Sequence, residues 1–458
     1  MWALIKSEKV YFYLLLLASV GIGLQLVAYK IAIIALLSQW VLNANFREKF
    51  SILKRNNYAI GLIFLFLLYV ISLFWSDNVA IGVTDLILKS PLLILPLVIL
   101  SKKSPSTKQI NQILLLFALS SLLLNVYCVC DAYLRFIKTD QINNFYYSAL
   151  TINMHSAYQA MFTCFAIVVF VYLGVKEKML PNWLTYLAVS FQMILVLLLS
   201  SRMQILIMTV LVPTYLITYY VKKKKLALGI LYTVLILSFA NLIMSAPSSL
   251  NYRYKETVSH INSIGVDNDN SDPRKFIWIE SLKVIKDNWF MGAGCGDAKA
   301  ELEERYSRLI LENPISKSLM DSTIIQINKN QKTIKYLQQK GLDNNISFNE
   351  ELINHAKMIL VRKNNIHKSL SHGRFNFHNQ YLQTFASIGL FGFLLLLYLL
   401  IIPFIRAMLK LEYLKGLLLF IICSSFLTES MLERQAGVAF VAFFYTLLIG
   451  RIIQSRSS

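Results

Sequence analysis

Ionisable residues at the rims of apolar segments are the candidates for chemistry in this sequence, because a charge at membrane depth is costly to keep. Arg202 lies in Ser200-Ser201-Arg202, a tight connection between two apolar runs. A guanidinium group matches a phosphate bidentately, so Arg202 is a candidate anion clamp, and the alternative is a snorkelling or capping arginine. Arg274 precedes Trp278 and is a second candidate cation.

The glycine-rich stretch Gly292-x-Gly294-x-Gly296 follows these residues. It does not come after a strand and does not open an evident helix, which excludes a dinucleotide-binding interpretation. The pattern therefore indicates a turn whose glycines adopt positive φ.

Three further places combine a titratable side chain with the rim of an apolar segment. His378 is followed by Asn379 and Tyr381 where the chain re-enters an apolar run, and Asn379 is a candidate helix N-cap. Asp85 and Lys89 stand four residues apart, a spacing that also fits a local ion pair. His155 and Tyr158 begin another apolar run, where interface anchoring is the alternative.

A cationic set beside one histidine suits a substrate that carries a diphosphate at the lipid headgroups. No cluster of aspartate, glutamate and histidine has metal-ligand spacing, and Asp297 alone would not hold a cation. No nucleophile motif of the GxSxG type is present either. We therefore expect neither a metal nor a cofactor.

The elements that position these residues are membrane-spanning helices. The chain is 56% hydrophobic with a mean hydropathy of +0.55, and its apolar residues come in runs near twenty long, which match the thickness of a bilayer. An open sheet edge is not tolerated in lipid, so the fold class is an all-α polytopic membrane protein. The runs predict about twelve transmembrane helices: 10–28, 29–44, 58–75, 83–100, 110–136, 155–175, 181–199, 203–221, 225–245, 379–404, 411–428 and 435–453.

The distribution of the net charge of +20 indicates topology and argues against nucleic acid as a partner. Alternate connections on one side hold twenty lysines and arginines, including the run Lys222 to Lys225, whereas the short connections on the other side hold Lys30, Lys138, Arg202 and Arg434. The positive-inside rule then places both termini in the cytoplasm and the long loop outside. The predicted division is 1–245 for helices 1 to 9, 246–378 for the outer loop and 379–458 for helices 10 to 12.

The outer loop is polar and carries helical periodicity in pieces. In 274–288 the apolar residues Phe276, Ile279, Leu282 and Ile285 recur every third position, which predicts an amphipathic helix. Segments 302–311 and 350–361 read as helices too, while the Lys-, Asn- and Gln-rich stretch 312–349 predicts mobility. The loop is too short for a large core, so we expect it to pack on the membrane bundle.

The five cysteines lie mostly in or next to predicted spans, and only Cys295 is in the loop, so neither a disulfide framework nor a zinc site is implied. The first apolar run lacks a clear small-residue cleavage site and a second run follows at once, so it is not expected to be a cleavable signal.

The order of these features resembles the O-antigen ligase and polymerase family of bacterial membrane glycosyltransferases. The resembling parts are the connection at Arg202, Arg274-x3-Trp278, the glycine turn, and His378-Asn379-x-Tyr381 with Gly389 and Gly392. They cover roughly residues 200 to 400.

The resemblance implies a GT-C-like, metal-independent, inverting enzyme of the bacterial inner membrane, with its active site on the periplasmic face. It would move a glycan from undecaprenyl diphosphate to a sugar hydroxyl of lipid A core or another saccharide, in lipopolysaccharide biosynthesis. Carried over, Arg202 and Arg274 would hold the diphosphate with help from Lys89. His378 would be the general base, since the ordinary pKa of a histidine, about 6.5, suits that task. His155, Asn379, Tyr381 and Trp278 would contact the acceptor or support the site.

The long Lys- and Asn-rich segment 298–371 departs from the family pattern and leaves the acceptor open. His372 is the main alternative to His378 as the general base, and His355 and His367 are further histidines of the loop that could be mistaken for it. Ligase and polymerase share the same features, with ligase slightly preferred. A lipid-linked sugar transporter and a non-catalytic assembly or sensor protein are the alternatives of other classes; the former would predict inverted repeats, which the sequence does not show.

Overall fold

The computed structural model describes residues 7–102, 104–152, 154–245, 273–312 and 376–450. Over these ranges the chain is helical and has no strand. The predicted helix at 350–361 and the predicted mobile stretch, apart from residue 312, lie outside the described residues, as do His355, His367 and His372.

The helices, numbered here in chain order, are as follows. They are α1 Glu8–Leu24, α2 Ala28–Leu42, α3 Phe46–Leu53, α4 Asn57–Ser72, α5 Val79–Lys89, α6 Pro91–Leu100, α7 Thr107–Thr139, α8 Tyr147–Leu150, α9 Ser156–Val171, α10 Asn182–Leu198, α11 Arg202–Lys222, α12 Leu226–Ser245, α13 Pro273–Asp287, α14 Ala298–Glu312, α15 Gln380–Leu409, α16 Tyr413–Phe426 and α17 Gln435–Phe444. Short 3₁₀ or π segments occupy Leu73–Trp75, Ile142–Phe145, Tyr172–Lys176, Met431–Glu433 and Tyr445–Ile449.

Each of the twelve predicted apolar runs, as far as it is described, falls on one helix or, for 83–100, on the consecutive helices α5 and α6. Five helical stretches in the described part of the chain are long and apolar enough to cross a membrane: Asn57–Trp75, Val79–Leu100, Thr107–Thr139, Ser156–Lys176 and Gln380–Leu409. Six of the remaining runs form shorter apolar helices, and the first run coincides with α1. The described part of the chain is therefore all-helical and consistent with a polytopic membrane protein, and twelve crossings stay a prediction.

Helix α9 lies at the centre of the bundle. Every residue from 156 to 170 is buried, because α7, α10, α16 and other helices surround it. Aromatic side chains fill the space around it: the ring of Phe162 stacks on that of Phe440 at 4.5 Å, and Phe117 meets Phe444 at 4.6 Å. The polar residues of this buried helix, Gln159 and Thr163, are hydrogen-bonded to Asn125 of α7.

Helix α15 is broken near its beginning. Ile388 and Gly389 leave the helical conformation, and Gly389 has a φ of 68°. Such a break frees backbone carbonyls, which must find donors in a low-dielectric region. The glycine turn supplies them: Ala293 N–H donates to Ala386 O at 2.7 Å, and Gly294 N–H to Ser387 O at 3.1 Å.

The glycines are required for this contact. Gly292 and Gly294 have φ values of 80° and 97°, as the predicted turn requires, whereas Gly296 does not have a positive φ. A Cβ on Gly292 would stand 2.6 Å from the backbone nitrogen of Gly389. The backbone of the glycine turn therefore packs directly against the backbone at the break in α15, and this contact attaches the loop to the bundle.

The loop helix α13 forms where it is predicted, but its buried face differs from the predicted stripe. Ile277, Ser281 and Val284 are buried, whereas Ile279 and Leu282 are exposed. A spacing of three residues drifts around a helix of 3.6 residues per turn, so the predicted stripe spreads over two faces. One face packs on α15 and on α14, and the other faces outward.

Candidate functional site

The candidate site is a cavity of about 170 Å³ at one end of the bundle. The first turns of α9, α11 and α13 meet there with the connection between α16 and α17. Its lining consists of Tyr147, His155, Ser156, Ala157, Ser200, Ser201, Arg202, Met203, Arg274, Thr428 and Glu429. Three of the residues predicted from the sequence, Arg202, Arg274 and His155, thus share one cavity although they are far apart in the chain.

The electrostatic character of this cavity favours an anion. The N-terminus of a helix carries partial positive charge on its first N–H groups. Three helices, α9, α11 and α13, begin at this cavity. Arg202 is the first residue of α11, and Arg274 is the second residue of α13. Two guanidinium groups and three helix N-termini thus surround one cavity, which also contains the carboxylate of Glu429.

Glu429 joins the cavity to His378. Its Oε1 accepts a hydrogen bond from Arg274 Nη2 at 2.7 Å, and its Oε2 lies 3.2 Å from His378 Nδ1. The carboxylate is 7% exposed, whereas the side chains of Arg274 and His378 are each 32% exposed. Arg274, Glu429 and His378 therefore form a chain of charged and polar groups, with the carboxylate in the middle.

The charge state of Glu429 follows from its partners. Burial alone would raise the pKa of this carboxyl, but the hydrogen bond with His378 and the charge of Arg274 hold the pKa below its ordinary value. Glu429 is therefore ionised at neutral pH. An ionised carboxylate beside an imidazole orients the ring and stabilises its protonated form.

His378 adopts a left-handed backbone conformation just before α15. Its φ is 45°, an uncommon value for a residue with a side chain, and its N–H donates to Asn376 Oδ1 at 2.8 Å. The next N–H, of Asn379, donates to Ser430 Oγ at 3.3 Å. Two polar contacts thus compensate the strained conformation, which aims the imidazole at Glu429.

Asn379 is the N-cap of α15. Its Oδ1 accepts hydrogen bonds from the N–H groups of Tyr381 at 2.9 Å and Leu382 at 3.1 Å. Tyr381 donates its hydroxyl to Cys423 O at 3.1 Å, which ties α15 to α16. These contacts hold His378 at the entrance of α15. Neither Asn379 nor Tyr381 lines the cavity.

His155 is the N-cap of α9 and lines the cavity. Its Nδ1 accepts from Ala157 N–H at 3.4 Å, and its Nε2 lies 3.2 Å from the Tyr147 hydroxyl. Burial lowers the pKa of His155, an effect that the charge of Glu429 partly opposes. The imidazole is therefore neutral at physiological pH, and its two nitrogens contact Ala157 and Tyr147.

Lys89 and Trp278 lie apart from the cavity. Lys89 is 1% exposed, and its Nζ donates to Asp85 at 2.6 Å and to Glu433 at 2.8 Å. The local pair with Asp85 is confirmed, and the charge of Lys89 is already matched by two carboxylates, so its prediction as a diphosphate ligand gains no support. Trp278 packs in the small core of the loop with Phe377 and Ala386.

Glu433 belongs to a second buried charge network. Its carboxylate contacts Lys89 and also Lys299, the second residue of α14. Nearby, Asp297 accepts from the N–H groups of Asp77 at 2.6 Å and Asn78 at 3.0 Å, at the entrance of α5. The loop helix α14 is thereby attached to the bundle by charged and polar contacts.

The sequence reading did not include Glu429 and Glu433. Both stand in the short connection between the last two apolar runs, in Thr428-Glu429-Ser430-Met431-Leu432-Glu433-Arg434. The available signal was the rule already applied to Arg202: an ionisable residue at a span rim is a candidate.

Comparison with known proteins adds one finding. Residues 186–327 match the family model described as O-antigen ligase. The match includes Arg202, Arg274 and the glycine turn, and it ends before His378. The resemblance predicted from the sequence is thereby confirmed. No curated protein matches the chain.

Proposed function

Taking the chain as a relative of the O-antigen ligases, we propose that it transfers a glycan from undecaprenyl diphosphate to a sugar hydroxyl. We place this reaction on the outer face of the bacterial inner membrane, with both termini in the cytoplasm. The observation that supports it is one cavity lined by Arg202, Arg274 and Glu429, with three helix N-termini beside it. His378 is not part of this lining and is joined to it by its contact with Glu429.

The arginines would bind the diphosphate of the donor. A guanidinium carries five N–H donors in a planar fork, so Arg274 can contact Glu429 and a phosphate oxygen together. Arg202 would approach from the first turn of α11. The N–H groups at the starts of α9 and α11 add partial positive charge at the same place.

His378 would act as general base. In the tautomer that we assign, Nδ1–H donates to Glu429 and Nε2 takes the proton from the acceptor hydroxyl. The hydroxyl oxygen forms its bond to the anomeric carbon while the bond from that carbon to the phosphate oxygen breaks. Undecaprenyl diphosphate leaves with the electron pair, and direct displacement inverts the configuration.

Two charges develop in this step, and each has a partner in the site. The imidazolium is stabilised by Glu429, as the carboxylate of a catalytic triad stabilises its histidine. The leaving diphosphate gains negative charge, which the two guanidinium groups stabilise more strongly than they stabilise the bound donor. The chain's own cations thus supply electrophilic assistance, and this is why we propose a metal-independent reaction.

The acceptor remains the open part of the proposal. A ligase would use lipid A core or another saccharide, and a repeat-unit polymerase would use a growing glycan, with the same chemistry at His378. We favour the ligase. The transporter alternative does not require a histidine–carboxylate pair beside the anion site.

Complementation tests the proposal. His378→Ala, Arg202→Ala and Arg274→Ala would each be expressed in a deletion strain, and surface polysaccharide would be followed by gel. Arg135→Ala is the matched control, since Arg135 pairs with Asp131 on α7 and does not line the cavity. His372→Ala tests the rival histidine.

We expect the three site variants to lose long-chain glycan at normal protein levels, with lipid-linked glycan accumulating. Arg135→Ala and His372→Ala should both complement the deletion. A bare core would indicate a ligase, and a core with one repeat unit a polymerase. Full complementation by all three site variants would exclude the catalytic assignment.

A further inference from the structure

The described part of the outer loop carries an exposed apolar surface beside the glycine turn. Trp289, Phe290 and Met291 are 54%, 49% and 51% exposed, and Ile279 and Leu282 on the outward face of α13 are 43% and 56% exposed. These five residues are called the interface patch here. An apolar surface of this kind needs a partner in a stable protein.

The patch is continuous with lipid-facing surface of the bundle. Phe391, Leu394, Tyr398, Ile401 and Ile405 are exposed along α15 at spacings of three and four residues, which is one stripe of a helix. The ring of Phe290 meets that of Phe391, the first member of this stripe, at 5.3 Å. The stripe on a membrane-spanning helix faces acyl chains, so Phe290 extends that surface onto the loop.

A second stripe reaches the patch from α4. Ile60, Phe64, Leu67, Ile71 and Phe74 are exposed at spacings of four and three residues. The next residue, Trp75, donates its indole N–H to Gly292 O at 3.1 Å, beside the patch. The glycine turn therefore sits between two helices whose exposed stripes both face lipid.

The depth of Phe391 places the patch at the hydrocarbon level. A span of about 30 Å needs about 20 residues of helix, so counting back from Leu409 puts the other boundary near residue 390. Phe391 is the second residue after Gly389, so the helix from Phe391 to Leu409 is not interrupted by the break. The count from Leu409 places Phe391 at the boundary, and a tilted helix, which needs more residues to span about 30 Å, would place Phe391 deeper.

The charges on α13 fit the same position. Lys283 and Lys286 are exposed on the face that carries Ile279 and Leu282, at positions i, i+3, i+4 and i+7. A lysine can bury its aliphatic stem and reach a phosphate with its ammonium group. A helix face with apolar and basic residues together is typical of one that lies in a membrane interface.

We propose that the interface patch is inserted into the membrane leaflet on the cavity side, with bilayer phospholipid as its partner. The glycine turn anchors the patch to the break in α15, and the helix α13 then connects inserted residues at one end with Arg274 at the other. This inference concerns lipid contact and holds whichever reaction the cavity performs.

Spin labelling in nanodiscs tests the proposal. Phe290→Cys would be labelled in a Cys130→Ser background, because Cys130 is the exposed native thiol among the described residues. Leu394→Cys is the lipid-facing control, and Glu304→Cys on the exposed surface of α14 is the water-facing control. Trp289→Cys is a second probe of the patch in case the first variant does not fold. The nanodiscs contain phosphatidylethanolamine and phosphatidylglycerol.

The measurement is the accessibility of each label to oxygen and to a polar nickel chelate. Oxygen concentrates in hydrocarbon and the chelate stays in water, so we expect the ratio at 290 to match that at 394 and to exceed that at 304 roughly tenfold. A ratio at 290 equal to that at 304 would overturn the proposal. So would exclusion of both reagents, which indicates cover by another part of the protein, or shielding only after undecaprenyl diphosphate is added, which indicates an isoprenoid-binding surface.

Discussion

Glu429 is the residue on which the proposed chemistry depends most directly, because it contacts both Arg274 and His378. In Glu429→Gln the neutral amide no longer stabilises a protonated imidazole, so we expect the rate of glycan transfer to fall about a hundredfold or more. Glu429→Asp keeps the charge and should retain part of the activity. Glu412→Gln is the control, since Glu412 pairs with Lys415 at the far end of α16. A transfer rate for Glu429→Gln within twofold of wild type would contradict the role.

Substitution of the two arginines by lysine distinguishes the contribution of the positive charge from that of the planar guanidinium geometry. Arg274→Lys and Arg202→Lys keep a positive charge but lose the planar fork, so a phosphate can no longer be held by two parallel hydrogen bonds. We expect kcat/KM for the lipid-linked donor to fall about tenfold to a hundredfold, with the larger loss at Arg274, which must also hold Glu429. Steady-state kinetics in detergent would measure this, with Arg135→Lys as control. Unchanged kinetics in both variants would mean that the cavity binds no diphosphate.

The break in α15 and the glycine turn form one structural unit, and Gly389 is where it can be disturbed most specifically. A Cβ at this position would stand 2.2 Å from Phe290 O, at a φ of 68°. Gly389→Ala should therefore destabilise the protein by about 2 kcal/mol or more, seen as a lower melting temperature. Gly416→Ala is the matched control, because the nearest atom to its Cβ is the sulfur of a flexible methionine at 3.1 Å. Equal melting temperatures for both variants would argue against the backbone contact.

The attachment of α14 through Lys299 and Glu433 predicts a pH dependence of stability. Burial would raise the pKa of Glu433, but the charges of Lys89 and Lys299 hold it at about 2, below the ordinary value of 4.5. A lowered carboxyl pKa stabilises the folded state above about pH 4.5, and this stabilisation is lost as the pH falls towards 2.

Glu433→Gln should therefore melt at a lower temperature than wild type at pH 7, and the difference should shrink as the pH falls below about 4.5. Thermal unfolding in detergent across this range would measure it. Glu304→Gln on the exposed surface of α14 is the control and should change little. A gap between Glu433→Gln and wild type that stays constant down to about pH 3 would show that the charge of Glu433 does not hold α14 in place.

The topology of the entire chain follows from the basic residues in alternate connections. Both termini should face the cytoplasm and the cavity should face outward. Lys138→Cys and Lys178→Cys, in a Cys130→Ser background, lie in connections predicted to face opposite sides. A membrane-impermeant maleimide should label residue 138 in spheroplasts and residue 178 only after lysis. The reverse pattern would invert the topology and exclude an outer active site.

The sequence by itself determined those features that depend on near neighbours. Apolar runs matched to bilayer thickness located the helices, a spacing of four residues located the pair of Asp85 and Lys89, and the capping preference of asparagine located the start of α15. These features are legible because helix geometry brings residues a few positions apart into contact whatever the rest of the chain does.

Only the tertiary structure decided which distant residues meet. Arg274 and Glu429 are separated by 155 residues, and Lys89 and Glu433 by 344, so no local pattern records either contact. The exposed face of α13 was decided in the same way, because apolar residues occupy both of its sides and only its packing on α15 shows which side remains exposed. Such contacts depend on which helices lie next to each other in the bundle, and this arrangement exists only in the assembled fold.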